Sequence, residues 1–385
     1  MDGLQIFSDI GDMQKINRIT VLRVLHEHSP LSRLDLAEKS GLSAPTITRI
    51  VKELIDEGVV IEAGKAESQR GRTPVLLELN YGGLFFIGIQ LNRPKTDVVV
   101  SNLKGEVRTY VSDDIDHADP DWVAAKLSEM IETALDDDGI KRKNVLGIGV
   151  SVSGLVSSDG KTVLRSDNLC WENVDMRKVL ADYSDMPIVV ENDAKASLLG
   201  ELWLGHGAEG STIVFISAGN GVGASIYHDG VILRGAFGAA GEIGHSPIVY
   251  RGKQCWCGNQ GCLEAYVGLR QVQEEYKMLT SSSKRVLEAY HDGDPVAASL
   301  VRRAAEMLGW SVLHCAYYVN PDQVIIGGKW LEAGDEFLDV LRQTVEEGFA
   351  LDFSMRPKIS YSSLYPHTEV LAAVGLIINE FFQYK

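Results

Sequence analysis

The sequence predicts a small winged helix-turn-helix head joined to a larger α/β body. Three observations lead to this reading. Apolar residues recur at helical spacing as far as Glu57 and then give way to two short strands. After Asn80 strands and helices alternate to the end of the chain. The length of 385 residues exceeds what one compact core accommodates.

In the head, Ile16, Ile19, Leu22, Val24 and Leu25 define an amphipathic helix that Ser29-Pro30 breaks. A second helix fits Ser32 to Ser40, with Ser32 as N-cap, Leu34, Leu36 and Ala37 inward, and Gly41 as the left-handed stop. A third follows Ser43 and runs to about Glu57, burying Ile47, Ile50, Val51, Leu54 and Ile55. Its other face carries Thr46, Thr48, Arg49 and Lys52, suited to the major groove. Val59 to Ile61 and Pro74 to Leu79 read as a hairpin whose loop presents Lys65, Arg70, Gly71 and Arg72. Two guanidinium groups around a glycine can enter a minor groove or grip phosphates, so Arg70 and Arg72 are the expected wing contacts. A winged helix used only for protein contacts has the same outline.

In the body, apolar strands are expected at 84–91, 96–101, 145–152, 188–191, 212–217, 224–227 and 323–326. Helices are expected at 122–135, 194–204, 268–279, 295–318, 337–347 and 367–383. Three glycine-rich segments, Gly147-Ile148-Gly149, Gly219 to Gly223 and Gly327-Gly328, suit either phosphate approach or ordinary strand ends. The division expected is 1–80 for the head, 81–190 with 367–385 for a smaller lobe, and 191–366 for a larger lobe.

The net charge of −16, from 37 basic and 53 acidic residues, excludes sequence-blind coating of DNA; contact with nucleic acid must be local. No apolar run approaches the ~20 residues of a membrane span, and the acidic opening is unlike a secretory leader, so a cytoplasmic location is expected. Five cysteines are too few for a disulfide framework, yet three fall within eight residues.

Those three and one histidine, His245, Cys255, Cys257 and Cys262, form His-x9-Cys-x-Cys-x4-Cys, with Gly258 and Gly261 bending the chain between them. Such a set closes a tetrahedron and leaves no open position, so a structural zinc is expected. Glu242, Glu264 and Asn192-Asp193 lie near this motif or at a strand end. Carboxylates and an amide grip several hydroxyls directionally, a chemistry that suits a sugar.

At Gly241-Glu242-Ile243-Gly244-His245 and Cys255-Trp256-Cys257-Gly258-Asn259-Gln260-Gly261-Cys262-Leu263-Glu264 the chain resembles the ROK family of repressors and sugar kinases. Ser153-Gly154-Leu155-Val156, Asp167-Asn168-Leu169 and Glu191-Asn192-Asp193-Ala194 extend the resemblance along nearly the whole chain. With the winged head in front, it is similar to the xylose and N-acetylglucosamine repressor branch. The resemblance implies an actin-like, ribonuclease H-like body and a sugar held by Asn168, Asn192, Asp193, Glu242, His245 and Glu264. In the family's kinases the residue matching Asp193 is the general base.

The chain departs from the family at the first phosphate turn. The kinases carry Asp-x-Gly-x-Thr, where Gln90, Asn92 and Pro94 stand here. These residues remove a charge that organises magnesium, add a side chain where close approach is needed, and delete a hydroxyl and an N–H. Asn220 also stands where threonine is usual, while Arg93 offers a possible compensating phosphate contact.

The leading expectation is therefore a sugar-responsive regulator without catalytic residues, Asp193 being a vestigial base. Its partners would be double-stranded operator DNA, a sugar and a second copy of itself in a homodimer or higher homo-oligomer, with no membrane. The alternatives are an ATP-dependent sugar kinase with a DNA-binding head, and a docking platform with a vestigial pocket.

Overall fold

The computed structural model describes residues 12–65, 74–205, 208–236, 238–349 and 356–382. The head comprises α1 (Asp12–His28), β1 (Leu31–Ser32), α2 (Arg33–Ser40), α3 (Ala44–Asp56), β2 (Val60–Lys65) and β3 (Val75–Leu79). Ser32 and Asp35 close a reciprocal capping box on α2, and Gly41 stops it with φ at 70°. Ser43 caps α3, with proline in its first turn. Leu22, Leu25, Leu36, Ile47, Ile50, Leu54, Leu77 and Leu79 are buried together. Leu34, expected inside, is 74% exposed: α2 has only two turns and turns its Leu36 side to the core. Ile16, expected inside as well, is 41% exposed. The wing strands pair antiparallel as expected, but Arg70 and Arg72 lie outside the described residues.

The first half of the body comprises β4 (Phe85–Leu91), β5 (Lys95–Asn102), β6 (Val107–Asp114), α4 (Pro120–Asp136), β7 (Val145–Val152), β8 (Leu155–Val156), β9 (Thr162–Ser166), β10 (Trp171–Asp175), α5 (Met176–Val179) and β11 (Ile188–Asn192). The second comprises α6 (Asp193–Leu204), β12 (Thr212–Ala218), β13 (Val222–His228), β14 (Val231–Ile232), α7 (Glu264–Val267), α8 (Leu269–Thr280), α9 (Val286–His291), α10 (Pro295–Val319), β15 (Gln323–Gly327), α11 (Asp335–Gly348), β16 (Lys358–Tyr361) and α12 (Thr368–Phe382).

Two five-stranded sheets repeat one plan. The first runs β11-β7-β4-β5-β6 and the second β14-β13-β12-β15-β16. In each, a three-stranded antiparallel meander is extended by two parallel strands. The chain crosses between sheets twice, through α6 after β11 and through residues 362–367 before α12. Buried Glu201 on α6 fastens the second crossing: it accepts from the Ser363 hydroxyl at 2.8 Å, from the Ser363 and Leu364 amides, and from the Ser362 hydroxyl.

Helix α12 is buried along almost its whole length against β4, β7 and α6. The glycines of Gly147-Ile148-Gly149 serve this contact and lie inside β7, not in a phosphate turn. A Cβ on Gly149 would stand 1.9 Å from the Ala373 carbonyl oxygen, and one on Gly88 2.7 Å from Val374. In the other two segments Gly219 to Gly221 and Gly328 lie beyond strand ends, and these turns approach each other: a Cβ on Gly219 would lie 3.4 Å from the Lys329 amide, and one on Gly328 2.4 Å from the Ala218 carbonyl oxygen. Among the described residues no helix is long and apolar enough to cross a membrane.

Candidate ligand cleft and metal centre

Parallel strands deliver their C-terminal ends to one side of a sheet, where open α/β folds bind ligands. Here Asn92, Ser153 and Asn192-Asp193 follow or end β4, β7 and β11, while Gly219 and Gly328 follow β12 and β15. Asn192 is the N-cap of α6: its side-chain oxygen accepts from the Ala194 and Lys195 amides, and its nitrogen donates to the Gly154 carbonyl at 3.0 Å. That cap makes Asp193 the first helical residue, within electrostatic reach of Ser153, Glu242 and Glu369.

Asp193 accepts from the Ala194 amide at 2.8 Å. Burial pushes its carboxyl up to about 6 from 3.8; the Ala194 amide and the Ser153 hydroxyl oppose that rise, while Glu369 and Glu242 add to it. The ionised form is thus disfavoured in the fold. This cost is absent below about pH 4, grows through the window up to about 6, and is complete above it. Asp193→Asn should therefore raise stability at pH 7.5 by on the order of 2 kcal/mol, with the gain vanishing toward pH 4. Thermal unfolding of both proteins across that range checks it; a gain independent of pH would contradict the assignment.

Glu369, in the first turn of α12, accepts from the Gln90 amide. Sequence reasoning missed Glu369, because its partner lies 279 positions away. It likewise missed the ion pair of buried Glu191 with Arg234, and Lys195, whose ammonium donates to the Gly238 carbonyl at 2.7 Å. Together these two contacts tie the loop before Glu242 to β11 and α6.

The remaining expected site residues are placed as follows. Glu242 is exposed and begins the 3-10 turn that ends at His245. Asn168 is committed to the β4–β5 turn: it accepts from the Arg93 amide at 2.8 Å and donates to the Arg93 carbonyl at 3.0 Å. The Arg93 guanidinium donates to the carbonyls of Ile115 and Asp116. Glu264 is buried; it accepts from the Val222 amide at 2.9 Å and from the Trp256 indole N–H.

The ligand atoms of His245, Cys255, Cys257 and Cys262 all lie within 4.8 Å of one another. Cys255 Sγ is 3.7 Å from His245 Nδ1, and Cys257 Sγ is 3.7 Å from Cys262 Sγ. A tetrahedron with metal–sulfur bonds of ~2.3 Å has edges of ~3.8 Å, so these residues fit a metal ion. Gly261, with φ at 82°, permits the fold-back, since a Cβ there would lie 1.7 Å from the Val249 carbonyl. Isolated bridges Pro247–Cys262 and Gln254–Gln260 hold the loop flat.

On the exposed side of α3, Thr46 shares a hydrogen bond with the Ser43 hydroxyl at 2.8 Å, Thr48 donates to the Ala44 carbonyl, and Arg49 pairs with Glu53 at 2.8 Å. Thr48 and Arg49 are exposed and Thr46 partly so.

Residues 86–379 match the ROK family, and residues 15–61 match a winged helix-turn-helix DNA-binding family. The chain is 31% identical to the xylose repressor of Caldicellulosiruptor bescii, covering 97% of this chain and 98% of that one. It is 23% identical to the N-acetylglucosamine repressor of Escherichia coli O157:H7, covering 97% and 95%. Among solved structures, a ROK family transcriptional regulator, described as a homologue of the E. coli MLC protein, superposes with a TM-score of 0.84 at 28% identity over 97% of both chains. A ROK family glucokinase from Streptomyces griseus, in complex with glucose and AMPPNP, gives 0.66 at 25% identity, covering 76% of this chain and 98% of that one.

Proposed function

The chain belongs to the ROK family, and from that premise we propose that it is a sugar-responsive, DNA-binding transcriptional regulator, a repressor of carbohydrate-utilisation genes. The observation that carries this reading is the union, over nearly full length, of a winged head with a kinase-like two-lobed body, as in the repressor relatives. The three-part division at 1–80, 81–190 with 367–385, and 191–366 belongs to the proposal; the two separate sheets support it.

The same two helices touch both ends of the molecule. Helix α6 begins at Asp193 and α12 carries Glu369 in its first turn; both finish against α1 of the head. Trp203 near the end of α6 stacks on Phe382 of α12 with centroids 4.9 Å apart, and His26 of α1 packs against both rings. Arg23 of α1 donates twice to the Phe382 carbonyl, at 2.9 and 2.6 Å. Midway, α6 and α12 touch backbone to backbone, since a Cβ on Gly375 would lie 2.5 Å from Gly200 Cα. A sugar that binds one cleft geometry better than the other therefore favours one placement of the head; only such differential affinity can alter DNA binding.

In this reading Asn192 and Asp193 hold sugar hydroxyls with Glu242, His245 and Glu264, and Asn168 acts by fixing the turn above them. Zinc is the metal that suits three thiolates and an imidazole; it would hold the loop bearing His245 and Glu264 without entering chemistry. Phosphoryl transfer is not part of the reading. Gln90 is spent on Glu369, Asn92 accepts from the Arg93 amide at 2.9 Å, and Pro94 offers no donor. A cytoplasmic homodimer would place two heads on a two-part operator.

Thr46, Thr48 and Arg49 on α3 are the proposed major-groove contacts, with Arg70 and Arg72 of the wing added from sequence. Arg49→Ala should weaken operator binding about tenfold or more while leaving sugar affinity unchanged. Fluorescence anisotropy over a salt series measures both the loss and any change in salt slope. Undiminished operator affinity would remove Arg49 from the interface.

A further inference from the structure

Two facts about Glu264 stand together. It is only 6% exposed, and both carboxylate oxygens are already occupied: Oε2 by the Val222 amide, Oε1 by the indole N–H of Trp256. The two donors differ in kind. Val222 begins β13, and its N–H is fixed by the sheet and by the glycine turn before it. Trp256 is 62% exposed and hangs from the loop between Cys255 and Cys257. Its ring meets the His245 ring edge to face, with centroids 5.0 Å apart and an interplanar angle of 82°. One exposed side chain thus covers two of the residues expected to hold the sugar.

The geometry points to Trp256 as a resident competitor for the sugar: in the ligand-free protein its indole N–H stands where a sugar hydroxyl will donate to Glu264, and the sugar must displace it. This deepens the sugar-binding reading above and rests on it. A buried carboxylate with an unpaired oxygen costs more than its hydrogen bond contributes, so an empty site needs a substitute donor. Trp256 is suited to that role. An indole has one donor and no acceptor, so it can satisfy the carboxylate without requiring a further partner of its own. Its flanking cysteines fix the Cα when metal is bound, leaving two side-chain torsions for release. Because most of the ring already faces solvent, little packing is lost when it swings out.

The exchange also sets specificity. A ligand that brings a hydroxyl to Oε1 replaces one donor with another, whereas a deoxy analogue at that position leaves the carboxylate unpaired or leaves the indole in place. The binding site would therefore reject the deoxy sugar more strongly than one lost hydrogen bond suggests.

The test compares full-length, metal-loaded wild type with Trp256→Phe and Trp256→Ala. Calorimetry uses D-xylose, D-glucose and N-acetyl-D-glucosamine, then the deoxy analogues of whichever binds. Trp256→Phe keeps a ring and removes the N–H, so the binding sugar should gain affinity about five- to tenfold, with discrimination against one deoxy analogue reduced. Unchanged affinity in Trp256→Phe with loss in Trp256→Ala would make the ring a stacking surface and overturn the proposal; weaker binding in both would do so too. If wild type binds none of the sugars, the functional reading fails separately. The cover is then read directly from the indole N–H resonance that Trp256→Phe deletes. Slow solvent exchange that becomes fast in Glu264→Gln supports the contact, and fast exchange in wild type overturns it.

Discussion

Gly149→Ala should unfold the protein or leave it barely stable, the largest effect of any single methyl group proposed here. The added carbon would sit 1.9 Å from the carbonyl oxygen of Ala373, a backbone atom that no rotamer change can move. Helix α12 would have to lift from β7, and with it would go buried Val370, Val374, Ile377 and Ile378. Overpacking against backbone costs about 3 kcal/mol or more, a large share of a typical folding free energy. The lifted helix also carries Glu369 at the cleft and Phe382 at the head, so surviving protein should lose sugar response before it loses either domain. Thermal unfolding and soluble yield measure the first effect. A melting temperature near wild type would mean that β7 and α12 are not packed as described.

The second large effect is expected from Cys257→Ser. Hydroxyl oxygen is a poor ligand beside two thiolates and an imidazole, so metal content by elemental analysis should fall from about one zinc per chain to near zero. The loop then loses its fixed closure, and His245 and Glu264 lose their common frame. Sugar affinity should fall with the metal, while operator binding in the absence of sugar persists, because α3 lies in another domain. Full zinc occupancy with unaltered sugar affinity would disconnect the metal loop from the cleft.

Local grammar accounts for what could be read in advance. Ser32, Gly41 and Ser43 punctuate the head so clearly that α2 and α3 fall within a residue or two of expectation. Buried strands such as β7 and β12 stand out as continuous apolar runs. Strand β6 does not, because its Val-Arg-Thr-Tyr-Val-Ser-Asp-Asp run lies at the sheet edge and is mostly polar or exposed. Helices α5, α7 and α9 are too short to show a period. The glycines of β7 mislead because close approach of a helix and close approach of a phosphate require the same missing side chain.

The metal motif is legible because its ligands lie within eighteen positions and their chemistry is restrictive. The cleft is only partly so. Asn192 and Asp193 adjoin in sequence, but Glu369 with Gln90, Arg234 with Glu191 and Trp256 with Glu264 are contacts that folding creates, and no spacing announces them. Even where residue types were anticipated, their commitments were not: Asn168 spends both amide atoms on the backbone of Arg93.

The central claim is that occupancy of the cleft alters the DNA affinity of a head that lies at the far ends of α6 and α12. Its most direct test is equilibrium binding of the full-length protein to a promoter fragment recovered by genome-wide binding. The measurement is made without nucleotide, in the presence and absence of D-xylose, D-glucose and N-acetyl-D-glucosamine. The account predicts that at least one of these sugars changes the DNA dissociation constant tenfold or more with no ATP present. A dissociation constant indifferent to a sugar that calorimetry shows to be bound would contradict it.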